Sequence, residues 1–178
     1  MRSACFLGIC FLWGCGTVVE TTPFRPIGDL ATTNPRSLVE AGHSTAVSPP
    51  PGVHFTLQLQ VIRETPNKGP QTQHYEMLLT VRQPGPDAGQ WAADLHGADL
   101  VDDEGHTLRT SQVLRQPSET RSVPGRRKMT FDSYRVIFDL PLSYQPRRVT
   151  RATVHWALAA GSGRIPISSR FQRSHRTP

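Results

Sequence analysis

The feature that most constrains the fold of this chain is a strict alternation of apolar and polar residues that begins at Val53. From Val53 to Val61 every second residue is apolar, and the residues between are His, Thr or Gln. Successive side chains of a β-strand point to opposite faces, so this period of two predicts a strand with one buried face. Similar alternation returns over residues 75–81, 134–140, 152–158 and 165–171. The chain is therefore predicted to consist largely of half-buried strands.

Turns rich in proline and glycine separate these strands, over residues 64–70, 84–89, 141–148 and 161–163. Roughly seven short strands with such turns, and no amphipathic helix, are typical of a β-sandwich. We therefore predict an all-β fold, an immunoglobulin-like antiparallel β-sandwich, with a small β-barrel as the alternative. The predicted domain covers residues 53–172, followed by a polar tail at 173–178. Trp156 and Phe138 fall in apolar sets and are predicted to lie in the core.

The first 14 residues differ in composition from the rest of the chain. A single charge, Arg2, precedes an uncharged apolar run over residues 4–14. The run is shorter than the ~20 residues needed to cross a bilayer, and its layout is typical of a secretory signal peptide. The alternative is a buried helix or strand of the folded domain. The small residue Gly14 places the expected cleavage directly before Cys15.

All three cysteines, Cys5, Cys10 and Cys15, lie at this end of the chain. Cleavage before Cys15 would leave that thiol without a disulfide partner. Residues 12–15, Leu-Trp-Gly-Cys, resemble the lipobox of bacterial lipoproteins. The resemblance implies that Cys15 is linked to diacylglycerol, carries acyl chains such as palmitate, and anchors the protein in a membrane of the cell envelope. Gly16 stands where an Asp would favour inner-membrane retention, which implies the outer membrane if the organism has one.

Residues 15–52 are predicted to be the lipidated cysteine and a flexible tether. Prolines recur at positions 23, 26, 35 and 49–51, and apolar residues are scattered among them. Proline favours extended conformations. The folded domain is therefore expected to stand away from the membrane.

The densest set of potential metal ligands lies in residues 96–106. It consists of His96, Asp99, Asp102, Asp103 and His106. Grouped carboxylates suit calcium, and imidazole with carboxylate suits zinc, but the spacing matches neither a calcium loop nor a zinc motif. Acidic residues beside a glycine also suit an ordinary hairpin turn. We predict no metal and no cofactor, and keep these five side chains as weak candidates.

Basic residues give the chain a formal net charge of +6. Arg121, Arg126, Arg127 and Lys128 lie in a polar loop, and Arg147, Arg148 and Arg151 precede the strand that contains Trp156. If both groups lie at one end of the domain, they form a cationic patch for phosphate or carboxylate groups. The alternative is a dispersed, solvated basic surface. Nucleic acid is disfavoured as a partner because of the export signal and the lack of interleaved exposed aromatic residues.

The sequence contains no recognisable catalytic motif. It lacks a Gly-x-Ser-x-Gly elbow, a His-Glu-x-x-His pair and a phosphate-binding glycine loop. We therefore expect a membrane-anchored, non-catalytic binding or structural module, with an anionic envelope polymer or an envelope protein as partner. The alternative is a metal-dependent or hydrolytic envelope enzyme that uses residues 96–106.

Overall fold

The computed structural model describes residues 17–27, 52–85, 91–122 and 128–174, and these ranges contain ten β-strands and no α-helix. The strands are β1 (Val18–Ile27), β2 (His54–Thr65), β3 (Thr72–Pro84), β4 (Ala92–Asp102), β5 (Thr107–Arg109), β6 (Gln112–Arg115), β7 (Glu119–Ser122), β8 (Lys128–Asp139), β9 (Arg151–Ala160) and β10 (Gly163–Arg173). The predicted all-β class is confirmed. Within the described ranges no helix is long and apolar enough to cross a membrane.

The strands form one antiparallel sheet that curls into a half-barrel. Their order is β5-β4-β9-β10-β1-β2-β3-β8-β6, and β7 also pairs with β8. The two edges are connected by residues 110 and 111 between β5 and β6. Thr110 N donates to Ala98 O on β4 (3.0 Å), and Ser111 N donates to Ile137 O on β8 (2.9 Å). This short link therefore binds both edges of the sheet.

The apolar sets predicted from the alternation form the core. Trp156 and Phe138 are both buried, which confirms the prediction for these two side chains. The Trp156 ring packs edge-on against Phe55, with ring centroids 5.2 Å apart. Its Nε1 donates to Ser169 Oγ at 2.9 Å, so the one polar atom of this large side chain is satisfied inside the core.

The prediction of a tether over residues 15–52 is wrong for Val18–Ile27. These residues form β1, which lies between β10 and β2 in the sheet. Phe24 at its centre is 4% exposed and meets the Tyr75 ring edge-on at 5.8 Å. The described sheet therefore includes β1 as well as the strands from β2 to β10, which ends at Arg173. Cys15, the predicted signal peptide at 1–14 and residues 28–51 lie outside the described ranges.

Prolines at positions 23 and 26 are compatible with this strand because each lies where β1 is paired on one side. β1 pairs with β2 over Val18 to Phe24 and with β10 over Phe24 to Ile27. Pro23 therefore belongs to the part paired with β2, and Pro26 to the part paired with β10. Proline lacks the N–H needed for a second ladder. Each half of β1 is thus paired on one side only, as an edge strand is, and the two halves meet at Phe24.

Two ends of the sheet can be distinguished. The end where β1 begins carries the turn at 66–71, because Val18 pairs with Thr65, just before that turn. The turn at 103–106 and the loop at 140–150 lie side by side at this end, because Asp102, just before the turn, pairs with Ala152, just after the loop. We call it the β1-start end. The opposite end carries the turn at 161–162 and the beginning of β8.

Candidate functional site

Asp102, a weak metal candidate from the sequence, is a buried structural carboxylate at the β1-start end. Its side chain is 0% exposed. Its Oδ1 accepts from the backbone N–H groups of Glu104 (3.0 Å) and His106 (2.9 Å), and its Oδ2 lies 3.0 Å from His106 Nδ1. Tyr144 Oη donates to the same Oδ2. The carboxylate thus connects the turn at 103–106 to the loop at 140–150.

A hydrogen-bonded chain continues from Asp102 into the core. Tyr75 Oη lies 3.2 Å from Tyr144 Oη, and the His106 ring meets the Tyr144 ring edge-on at 5.2 Å. Burial raises the pKa of Tyr75 to about 12, and burial together with Asp102 also raises the pKa of Tyr144. Burial alone would raise the pKa of Asp102, but the hydrogen bonds from Tyr144 and His106 outweigh it, and its pKa lies below the usual range.

The other acidic candidates do not join Asp102 in a metal centre. Asp103 accepts from Thr150 N at 3.1 Å and from Arg151 N at 3.1 Å. Asp99 lies 3.9 Å from Arg109 Nε, and His96 is exposed. In the described part of the chain, no group of three or more His, Cys, Asp or Glu side chains could hold a metal ion.

The structure does not bring the described basic candidates together. Lys128 is the first residue of β8, a strand of 12 residues, and Arg147 and Arg148 lie in the loop beyond its last residue. At ~3.3 Å per residue β8 is about 40 Å long. Lys128 therefore lies at the opposite end from Arg147 and Arg148, and the expected convergence of the two groups is wrong for Lys128. Arg126 and Arg127 lie outside the described ranges.

A different pair of arginines lies in one groove. A pocket of about 460 Å³ lies over β9, β10 and the end of β4, and its lining includes Arg151, Thr153, His155, Ser168 and Arg170 together with Val101, Asp102 and Asp103. A second pocket of about 260 Å³ shares Arg151 and Arg170 and extends the groove over Ile27 of β1. We call this surface the arginine groove.

The register of the strands places these side chains. Thr153 pairs with Arg170, and His155 pairs with Ser168. Arg151 is two residues before Thr153, so it is a diagonal neighbour of Arg170 on the same face, at about 7–8 Å. Ala152 and Val154, which alternate with Arg151, Thr153 and His155 along β9, are buried in the core. The alternation of each strand thus turns both guanidinium groups outward.

The two arginines of the arginine groove are not held in ion pairs with other described residues, although the carboxylates of Asp102 and Asp103 also belong to residues that line the pocket. No ion pair joins Arg151 or Arg170 to a carboxylate in the described ranges. The Asp103 carboxylate is already engaged by the Thr150 hydroxyl and by two backbone N–H groups. Two guanidinium groups therefore remain available to a ligand. Beside them, His155 Nδ1 and Ser168 Oγ are 2.9 Å apart.

The sequence interpretation missed Arg170, His155 and Ser168 as site residues. Alternation indicates that Ser168 and Arg170 face outward, since Ile167 and Phe171 belong to the apolar set. It does not indicate which residues of β9 lie beside them, because register depends on the turn between the two strands.

Comparison of the chain with protein-family models, curated proteins and solved structures found no match.

Proposed function

We propose that this protein is an exported lipoprotein, anchored by acyl chains on Cys15, that binds an anionic envelope polymer in the arginine groove. Arg151 and Arg170 lie side by side on one outer surface without a carboxylate partner in the described chain. This observation supports the proposal most directly. If the organism has two membranes, the expected location is the outer membrane.

Arginine is suited to such a ligand because its planar guanidinium donates two parallel hydrogen bonds to one phosphate or carboxylate. Two arginines whose backbone positions are about 7–8 Å apart can each hold one of two successive anionic groups of a polymer. The Ser168 hydroxyl and the His155 ring lie on the next pair of positions along the same strands. They add further hydrogen-bonding groups for the polymer between its charges.

The proposal assigns no catalytic residue. Asp99 pairs across from His155, which in turn pairs with Ser168, so an Asp, a His and a Ser share one row. The contact of the Asp99 carboxylate is with Arg109, however, and the His155 Nδ1 atom that would need a carboxylate is directed at Ser168. A Ser-His-Asp hydrolase needs His held between the other two groups. The row therefore supports ligand binding better than hydrolysis.

The groove is tested by measuring binding of inorganic polyphosphate and of poly-glutamate to the full chain. Wild-type protein should bind at least one of these polyanions, and binding should weaken as salt rises, because screening shortens the reach of exposed charges to about 8 Å at physiological ionic strength. Arg151→Ala/Arg170→Ala should lower the affinity by roughly tenfold per lost charged hydrogen bond.

A matched control removes the same charge elsewhere. Lys68 lies in the turn after β2 and Arg121 in β7, and both are exposed. Lys68→Ala/Arg121→Ala should change the affinity by less than about twofold, since exposed ion pairs contribute little. Equal losses in the two double variants would show a diffuse basic surface, and the groove would be rejected as the site.

The anchor is tested separately by Cys15→Ser. This variant should move the protein from the membrane fraction to the soluble fraction, because one acylated cysteine with two or more chains gives stable anchoring. Mass spectrometry of the wild-type N-terminus provides the control. A wild-type protein that carries no acyl group would contradict the anchor and leave the groove experiment unaffected.

For the architecture, we propose the small barrel over the immunoglobulin-like sandwich. The pairing order supports it, because all ten described strands belong to a single sheet. The link at residues 110–111 also donates to β4 on one side and to β8 on the other. A sandwich needs two separate sheets packed face to face.

A further inference from the structure

We propose that the β1-start end of the domain lies directly on the membrane surface, with Val18, Val19 and Leu142 inserted among the lipid headgroups. We call these three side chains the apolar tip. The inference rests on the proposed acylation of Cys15, and it replaces the long tether by direct contact. The partner is a phospholipid bilayer.

The first argument for this contact is the short length of chain between the proposed anchor, Cys15, and the sheet. Val18, where β1 begins, is three residues after Cys15. Three residues span at most about 11 Å even when fully extended. The headgroup layer on each side of a bilayer is about 5–8 Å thick. If Cys15 is fixed at the lipid surface, Val18 must lie within that layer or immediately outside it.

The second, independent argument for this contact is the exposure of three apolar side chains. Val18 is 59% exposed, Val19 53% and Leu142 61%, and these are the three most exposed large apolar residues in the described ranges. Val18 and Val19 pair with Thr65 and Glu64 at the end of β2. All three would gain by leaving water, and a lipid interface provides the apolar environment.

Leu142 is held at the same end by hydrogen bonds of its loop. Gln73 Nε2 donates to the carbonyl oxygens of Pro141 and Tyr144, on either side of Leu142. Gln73 pairs with Arg63, which pairs with Glu20 of β1. The loop therefore crosses this end of the sheet close to β1, β2 and β3, and Leu142 joins the two valines.

Two basic residues that were predicted to bind anions, Arg147 and Arg148, lie in the same loop. Arg147 and Arg148 are exposed, and Arg147 lines a pocket of about 370 Å³ with Glu20 and Arg63. Exposed arginines beside apolar side chains are what a surface needs to contact anionic headgroups and the acyl boundary together. The patch predicted for phosphate or carboxylate groups thus keeps Arg147 and Arg148, which would meet the phosphates of the headgroups, and loses Lys128.

Brominated phospholipids test this contact, since bromine quenches tryptophan emission only at close range. Full-chain protein with Leu142→Trp or Val18→Trp is isolated in acylated form and reconstituted into vesicles of anionic phospholipid brominated near the headgroup. Both positions are more than half exposed, so a larger side chain is tolerated. Each added tryptophan should lose emission in brominated vesicles relative to unbrominated ones.

Ser162→Trp is the matched control, because Ser162 is exposed in the turn at the opposite end. Its added emission should be unchanged by the brominated lipid. If the acylated protein is bound to vesicles and neither the Leu142→Trp nor the Val18→Trp variant is quenched, the direct contact is rejected and the anchor stands. Absence of acylation on Cys15 would reject the anchor and this inference together.

Discussion

Asp102 and Asp132 are two buried aspartates held by different kinds of partner. Asp102 lies at the β1-start end and accepts hydrogen bonds from Tyr144, from His106 and from the backbone of the turn at 103–106. Asp132, in the first half of β8, accepts hydrogen bonds from Arg115 Nη2 (2.9 Å), from Ser118 and from Nε2 of the buried Gln83 (3.3 Å). The donors to Asp132 thus include a permanent cation, Arg115, whereas those to Asp102 do not.

Burial raises the pKa of both carboxyl groups, yet the hydrogen bonds lower each pKa below its usual value overall. The difference lies in what happens to the partners when the carboxylate is lost. Arg115 is 55% exposed, so its guanidinium can turn into water. The Tyr144 hydroxyl is buried and has Tyr75 as its remaining neighbour. The cost of losing a buried acceptor therefore depends on whether its donors can reach solvent.

The largest effect that follows is on stability. Asp102→Ala should lower the free energy of unfolding by about 3 kcal/mol, because the Tyr144 hydroxyl and the backbone N–H groups of Glu104 and His106 all lose their acceptor, at roughly 1 kcal/mol for each lost hydrogen bond. Asp132→Ala should cost about 1–2 kcal/mol, because Arg115 and Ser118 can be hydrated and the buried Gln83 Nε2 keeps its hydrogen bond to Trp91 O. Chemical denaturation of the full chain at neutral pH measures both.

Asp102→Asn and Asp132→Asn are the matched controls, since they keep the shape and one acceptor oxygen while they remove the charge. Asp102→Asn should recover part of the loss caused by Asp102→Ala. Equal costs for Asp102→Ala and Asp132→Ala would show that exposure of the partner is not the deciding factor.

The strands with regular alternation were predictable because their burial is local information. Every second residue from Phe55 to Val61 is buried, as the sequence indicates. β1 was missed for an equally physical reason. Its two prolines and its exposed residues at 18–20 break the period of two. It is stabilised by pairing with β2 and β10, and this pairing cannot be read from the sequence.

The candidate site could be predicted only in part. The sequence marks residues 96–106 as polar and acidic, but the burial of Asp102 depends on Tyr144, which is 42 residues away. The outward direction of Arg170 follows from its strand, whereas its position beside Arg151 depends on the register of β9 and β10. Contacts set by register or by a distant loop are not visible in one sequence.

The last effect appears only at alkaline pH, and it again separates the hydrogen-bond network of Asp102 from that of Asp132. Burial raises the pKa of Tyr75 to about 12, above the value of about 10 expected in the unfolded chain. A raised folded-state pKa contributes stability that is complete below the unfolded value and is lost as pH rises through the folded value. The unfolding free energy of the wild type should therefore fall between about pH 10 and 12, by about 1.4 kcal/mol per pH unit for this tyrosine. Tyr75→Phe should reduce that slope in pH-dependent denaturation, whereas Asp132→Asn, which keeps Tyr75 and Tyr144, should preserve it. An unchanged slope in Tyr75→Phe would contradict the assignment of the alkaline transition to the Asp102 network.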